Sequence, residues 1–152
     1  MTEACRDAFI ITGGLIVISP CFRDVRTAFD LGQTQLFGVP IYQDEAGTPS
    51  PYPSHYLLHL MELRDCLVPE ASENVQKFLA WGATEPEPDA PWVPVYDEDK
   101  LALRAGSVHG VDLWADPNLR RRLFFSDRLK RALDAAELTP KGWKLVEAKL
   151  VS

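Results

Sequence analysis

His55 and His59, four residues apart, are the first side chains in this sequence whose type and spacing could do chemistry. That spacing puts both on one face of a helix or a strand, but a metal would need further ligands nearby. Only Cys66 fits loosely, and no His-Glu-x-x-His or paired-cysteine pattern accompanies it. The pair therefore reads as two histidines on a half-buried strand, with no metal site expected. Cys21 falls in the first turn of a predicted helix, where the dipole favours negative charge. Nothing in the sequence pairs it with His109 or another base, so a buried structural cysteine is the simpler reading. Gly13-Gly14 lacks the repeated glycines and the lysine of a phosphate cradle and reads as a turn. There is no Gly-x-Ser-x-Gly, no Ser-x-x-Lys and no convincing pair of catalytic carboxylates, so neither a catalytic residue nor a cofactor is expected.

Charge is more informative. The 152-residue chain carries a net charge of −6, yet residues 1–119 hold 18 acids against 7 bases while residues 120–152 hold 4 against 9. Glu85, Glu87 and Asp89, then Asp97, Glu98 and Asp99, place six acids in fifteen residues with no base among them. Trp81 and Trp92 flank the prolines of this stretch. Such a loop is either plainly solvated or covers a basic site on a partner, and interfaces also want aromatic anchors. Glu85, Glu87, Asp89, Trp92, Asp97, Glu98 and Asp99 are the candidate partner-binding residues. The basic run Arg120-Arg121-Arg122 with Arg128, Lys130 and Arg131 could meet phosphates, but Phe124 and Phe125 are assigned largely to core. Arginines neutralising nearby acids explain it more simply, and nucleic acid is not expected as a partner.

The elements that must position these residues follow from apolar periodicity. Phe9–Thr12 and Leu15–Ile18 flank the glycine pair as a hairpin. Ser19 caps a helix with Pro20 at its first position, and Gly32 is a plausible stop. Strands are expected at Leu36–Tyr42, with Pro40 marking an edge or a bend, and at His55–Leu63. Ser72 reads as the cap of a third, short helix carrying Val75, Phe78 and Leu79 on one face. Trp92–Tyr96 and Val108–Trp114 are further strands, and Asp116-Pro117-Asn118 turns the chain. Leu123-Phe124-Phe125, Ser126 and a helix with Leu129, Leu133 and Ala136 then repeat the opening phrase, followed by a strand within Trp143–Val151. The expected fold is α+β, with a mixed or antiparallel sheet and two strand-Ser-helix-strand units, as one domain over 1–152.

Three widely spaced cysteines favour a reducing compartment, and no run approaches the ~20 apolar residues of a membrane span. Glu3 and Asp7 beside Arg6, and Pro20 before Cys21, argue against a lipoprotein signal. A cytoplasmic protein is expected.

The segment from Ser126 to Ala136, preceded by Trp114 and Leu123-Phe124-Phe125, resembles the closing motif of a bacterial immunity protein family, the immunity protein eleven type. Its pattern there is an apolar strand, a serine, an acid, a leucine-lysine pair and an alanine- and leucine-rich helix. The Val17-Ile18-Ser19 unit, the Pro40 strand and the Tyr56–Leu60 run fall where that family places comparable elements. The family's closing glycine-aromatic pair comes late here, within Pro140-Lys141-Gly142-Trp143. The resemblance implies a non-catalytic protein that binds and silences a cognate toxin; with no long apolar run, no membrane partner is expected. An enzyme of unrecognised type and a regulatory protein-binding module are the alternatives.

Overall fold

A computed structural model describes residues 8–11, 14–51, 54–95, 100–120, 122–138 and 144–152. The chain opens with the expected hairpin: β1 (Ala8–Ile10) runs antiparallel to β2 (Ile16–Ile18), with Ala8 opposite Ile18. Ile11 N–H donates to Leu15 O at 2.9 Å to close it, and Gly14 takes a φ of +80° that a side chain would disfavour. Ser19 then leaves the strand in extended conformation, and its Oγ accepts the Phe22 N–H at 3.2 Å. Helix α1 (Pro20–Arg26) follows, with proline at a position whose missing N–H is unpaired in any helix. It stops before Gly32: the Thr27 N–H and hydroxyl both turn back to the Asp24 carbonyl. Gly32, at φ +56°, serves the later turn into β3 (Gln35–Val39). A Cβ there would stand 2.1 Å from the Glu62 carboxylate, so the glycine permits a close approach as well as a turn.

β3 pairs antiparallel with β4 (His55–His59), giving a four-stranded antiparallel sheet of order β1-β2-β4-β3. Pro40 sits directly after β3, where no ladder N–H is needed. The strands expected to reach Tyr42 and Leu63 thus stop at Val39 and His59.

The third helix is not where the spacing predicted it. Pro69–Ala71 forms a single 3-10 turn that Ser72 closes, and Val75–Lys77 is a strand, β5, antiparallel to β6 (Trp92–Pro94). Ser72 caps no helix: its hydroxyl donates to Val68 O and accepts the Ala102 N–H. β7 (Ala102–Arg104) leads into a second 3-10 turn at Ala105–Ser107, and only Leu113–Trp114 (β8) of the expected Val108–Trp114 run is strand.

β8 pairs antiparallel with β9 (Phe124–Phe125), and Ser126 caps α2 (Asp127–Ala135) by accepting the Leu129 N–H at 3.1 Å. The strand-serine-helix phrase therefore occurs twice, as the sequence predicted. Its fourth member differs: β3 joins the first sheet, whereas β10 (Lys149–Val151) lies parallel to β7 in a separate pair.

Two cores result. Ala8, Ile18 and Leu58 of the sheet pack with Phe22 of α1 and Leu129 and Leu133 of α2; Cys66, Leu67, Leu101, Leu103, Trp114, Leu119 and Phe124 form the second core. The β8–β9 pair serves both. Because strand side chains alternate, Leu113 and Phe125 face the first core while Trp114 and Phe124 stack in the second, ring centroids 5.7 Å apart. The architecture is α+β.

Both caps are open to test. Ser19→Ala and Ser126→Ala should each lower the unfolding free energy by about 1 kcal/mol, measured by urea denaturation. Ser126 should be the larger, since its hydroxyl also donates to Asp112.

Candidate functional site

The acidic stretch sits on an arm. β5 and β6 pair Lys77 with Trp92, and the ladder continues as Phe78 N–H donates to Pro91 O at 2.8 Å. Beyond that contact Ala83 N–H bonds Ala80 O at 3.1 Å, a tight turn with Trp81 and Gly82 at its centre. Gly82 supplies the φ of +79° that the turn requires. Trp81 is thereby fully exposed. The chain returns through Glu85, Glu87 and Asp89, all exposed, and Ala90 N–H bonds Glu87 O at 3.0 Å. Lys77 ties the return strand down, its Nζ donating to Ala90 O at 2.6 Å.

Between the two limbs lies a half-open groove of about 310 Å³, lined by Phe78, Ala80, Ala83, Ala90 and Pro91 and by Glu85, Glu87 and Asp89. The acids alternate with Pro86 and Pro88, and a bend at Glu85 with the Glu87–Ala90 turn brings all three to the groove's lining. Proline also removes N–H groups that would need partners and stiffens the segment. None of the three carboxylates forms an ion pair among the described residues.

Trp92 has another setting. It is half-buried, packs against the second core and lies under Lys77, whose Nζ is 5.0 Å from a ring centroid. Its backbone N–H donates to Asn118 O at 2.6 Å and its carbonyl accepts the Arg120 N–H. It braces the arm, while Trp81, equally visible as a flanking tryptophan, is the one displayed. Truncation of Trp92 to alanine should therefore cost about 2 kcal/mol of stability, less than the ~3–5 kcal/mol of a fully buried tryptophan, read from the shift in denaturation midpoint. Asp97, Glu98 and Asp99 lie outside the described residues.

The remaining chemistry-bearing residues are placed for structure. His55 is buried with its ring 5.8 Å from Phe9, and His59 is exposed with its ring 6.0 Å from Phe37. Among the described residues no group of three or more His, Cys, Asp or Glu could hold a metal ion. Cys66 is fully buried, and that burial pushes its thiol up to about 12, which keeps it protonated. Cys21 is exposed rather than buried, because the second position of α1 faces away from the core that Phe22 enters.

Three buried carboxylates escaped the sequence reading. Asp112, 1% exposed, accepts the Asp30 N–H at 2.9 Å, the Ser126 hydroxyl, and two guanidinium bonds from Arg128. Asp116 accepts the N–H groups of Cys66, Leu67 and Asn118, each at 2.7 Å. Glu62 accepts the Gln33 N–H at 3.1 Å and pairs with Arg64. Their oxygens are satisfied by this chain's own donors, so they hold the backbone rather than offer a reactive group. The basic run is likewise engaged locally. Arg128 meets Asp112, Lys130 meets Asp134, Arg131 meets Asp127, and Arg120 lies over the Phe78 ring at 4.4 Å.

The arm thus ends in an unshielded indole and carries three exposed carboxylates around an apolar groove. Such a surface can make a protein contact; it has no nucleophile or base of its own beyond exposed carboxylates.

A family model described as Immunity protein family (Imm11) matches residues 2–149 of the 152-residue chain. No curated protein matches it, and no solved structure does. The described residues contain no helix long and apolar enough to cross a membrane.

Proposed function

The chain belongs to the immunity protein family, and from that premise we propose that it binds a cognate toxin in the bacterial cytoplasm and silences it by covering its active or binding surface, without catalysis. The residues act as one domain over 1–152. The observation that carries the contact surface is the arm between β5 and β6. Its three carboxylates, unmatched by any base of this chain among the described residues, line an apolar groove on the arm whose turn displays an exposed tryptophan. Burying unmatched acids is favourable only against a basic partner, so the toxin surface covered is cationic. Asp97, Glu98 and Asp99, which follow β6 in the sequence, are assigned to the same contact on their charge, and Trp92 holds the arm's base in place. Nucleic acid is repelled by that field and is not a partner.

Co-expression tests the activity: the chain should rescue cells from the toxin encoded beside it, whereas an enzyme should protect at substoichiometric amounts. The surface is tested kinetically. Changing Glu85, Glu87, Asp89, Asp97, Glu98 and Asp99 together to glutamine or asparagine should slow association about tenfold at low salt and flatten its salt dependence, because steering is screened beyond ~8 Å at physiological ionic strength. The dissociation rate should change less. An unchanged association rate at low salt in a normally folded variant would place the inhibitory surface elsewhere.

A further inference from the structure

We propose that the groove between Phe78 and Pro91 receives one long cationic side chain of the toxin, an arginine or lysine lying lengthwise with its stem on carbon and its charge among Glu85, Glu87 and Asp89. This rests on the reading that the acidic arm is the toxin-binding surface, and it specifies what that surface grips. A groove of about 310 Å³ is at the floor of the ~300–1,000 Å³ range of ligand pockets and has room for one side chain, while its carboxylates would repel the phosphates of a nucleotide. Its lining is split in kind. Phe78, Ala80, Ala83, Ala90 and Pro91 offer apolar wall, and all the ionised groups are carboxylates. An uncharged apolar occupant would leave three acids desolvated without partners, and an anion would be repelled. Arginine and lysine match both halves, since their methylene stems lie along apolar surface while the charged head seeks acids or water.

The nearby bases do not already fill that role. Lys77 is directed to the carbonyls of Pro88 and Ala90, and Arg120 lies over the Phe78 ring. Neither forms an ion pair with the three carboxylates. The groove is also built in advance: the Phe78–Pro91, Ala80–Ala83 and Glu87–Ala90 backbone bonds fix its limbs, so little ordering entropy opposes entry.

Two measurements on the full chain test this. In the first, 15N-labelled protein is titrated with n-butylguanidinium and with its neutral isostere n-butylurea. The expected result is saturable shifts confined to amides of residues 78–91 with the cation, at least tenfold weaker with the urea and with the Glu85→Gln, Glu87→Gln, Asp89→Asn variant. Equal response to both probes, or shifts elsewhere, would overturn the proposal. In the second, Ala83→Leu fills the groove without altering charge, and toxin affinity is measured beside that of the triple variant. Loss of tenfold or more in both supports the proposal. Loss in the triple variant alone overturns the groove and leaves the acidic arm as the interface. Unchanged affinity in both overturns the arm as well, while rescue by the wild-type chain would still hold.

Discussion

Replacing Asp112 by alanine is expected to lower the unfolding free energy by about 3 kcal/mol, the low end of the range for removing one partner of a buried ion pair. The carboxylate is 1% exposed and joins two distant pieces of chain: the Asp30 amide after α1, and the start of α2 through the Ser126 hydroxyl and the Arg128 guanidinium. Alanine leaves the Asp30 N–H without its acceptor and frees the Ser126 hydroxyl, whereas Arg128, largely exposed, can turn to water. That escape is why the low end applies. Asp112→Asn keeps one acceptor oxygen and should cost roughly half as much.

The same site sets part of the acid sensitivity. Burial pushes the Asp112 carboxyl up, but the hydrogen bonds from Arg128, Ser126 and the Asp30 amide outweigh it and hold the pKa below the ordinary carboxylate range. A depressed folded-state pKa means that the stabilisation is fully present above the unfolded value near ~3.9 and is lost as pH falls through the folded one. Asp44, held low chiefly by the Thr48 hydroxyl, acts in the same direction. Denaturation curves taken from neutral to acid pH should therefore show the gap between wild type and Asp112→Asn narrowing below about pH 4. A constant gap would mean that Asp112 is not held low.

How much of this was legible depends on how local the cause is. The β1–β2 hairpin and the two serine caps rest on neighbours close in the chain, and the sequence spells them out. The acidic loop was legible from composition. The helix expected after Ser72 failed because Val75, Phe78 and Leu79 have helical spacing, but Asn74 adopts a φ of +58° and its carbonyl accepts the Val95 N–H, committing the segment to β6. Strand pairing twenty residues away overrode local periodicity. The parallel seat of β10 against β7 is equally non-local. Asp116 could have been found, since its Oδ1 accepts the Asn118 N–H across the very Asp-Pro-Asn turn that was read correctly. Asp112 and Glu62 could not, because their amide donors, on Asp30 and Gln33, carry no side-chain label. The groove itself exists only once β5 and β6 bring Phe78 beside Pro91. With that pairing unseen, nothing ranked Trp81 above Trp92.

Trp81→Ala is expected to be the most damaging single change to toxin binding, by about 2 kcal/mol or more, or roughly thirtyfold in affinity. An indole that is fully exposed at the centre of the Ala80–Ala83 turn contributes no packing to the fold, so stability should stay within about 0.5 kcal/mol of wild type. Seated in a partner it would bury on the order of 150–250 Å², a gross gain near 4–6 kcal/mol, of which the costs of association leave a part. Because the side chain is uncharged, the loss should fall on the dissociation rate, with association unaltered. The acid substitutions act through the opposite rate constant, so the two classes of variant separate steering from grip on one arm. A Trp81→Ala variant that dissociates as slowly as wild type would put the tip outside the interface and leave the carboxylates to act through their field alone.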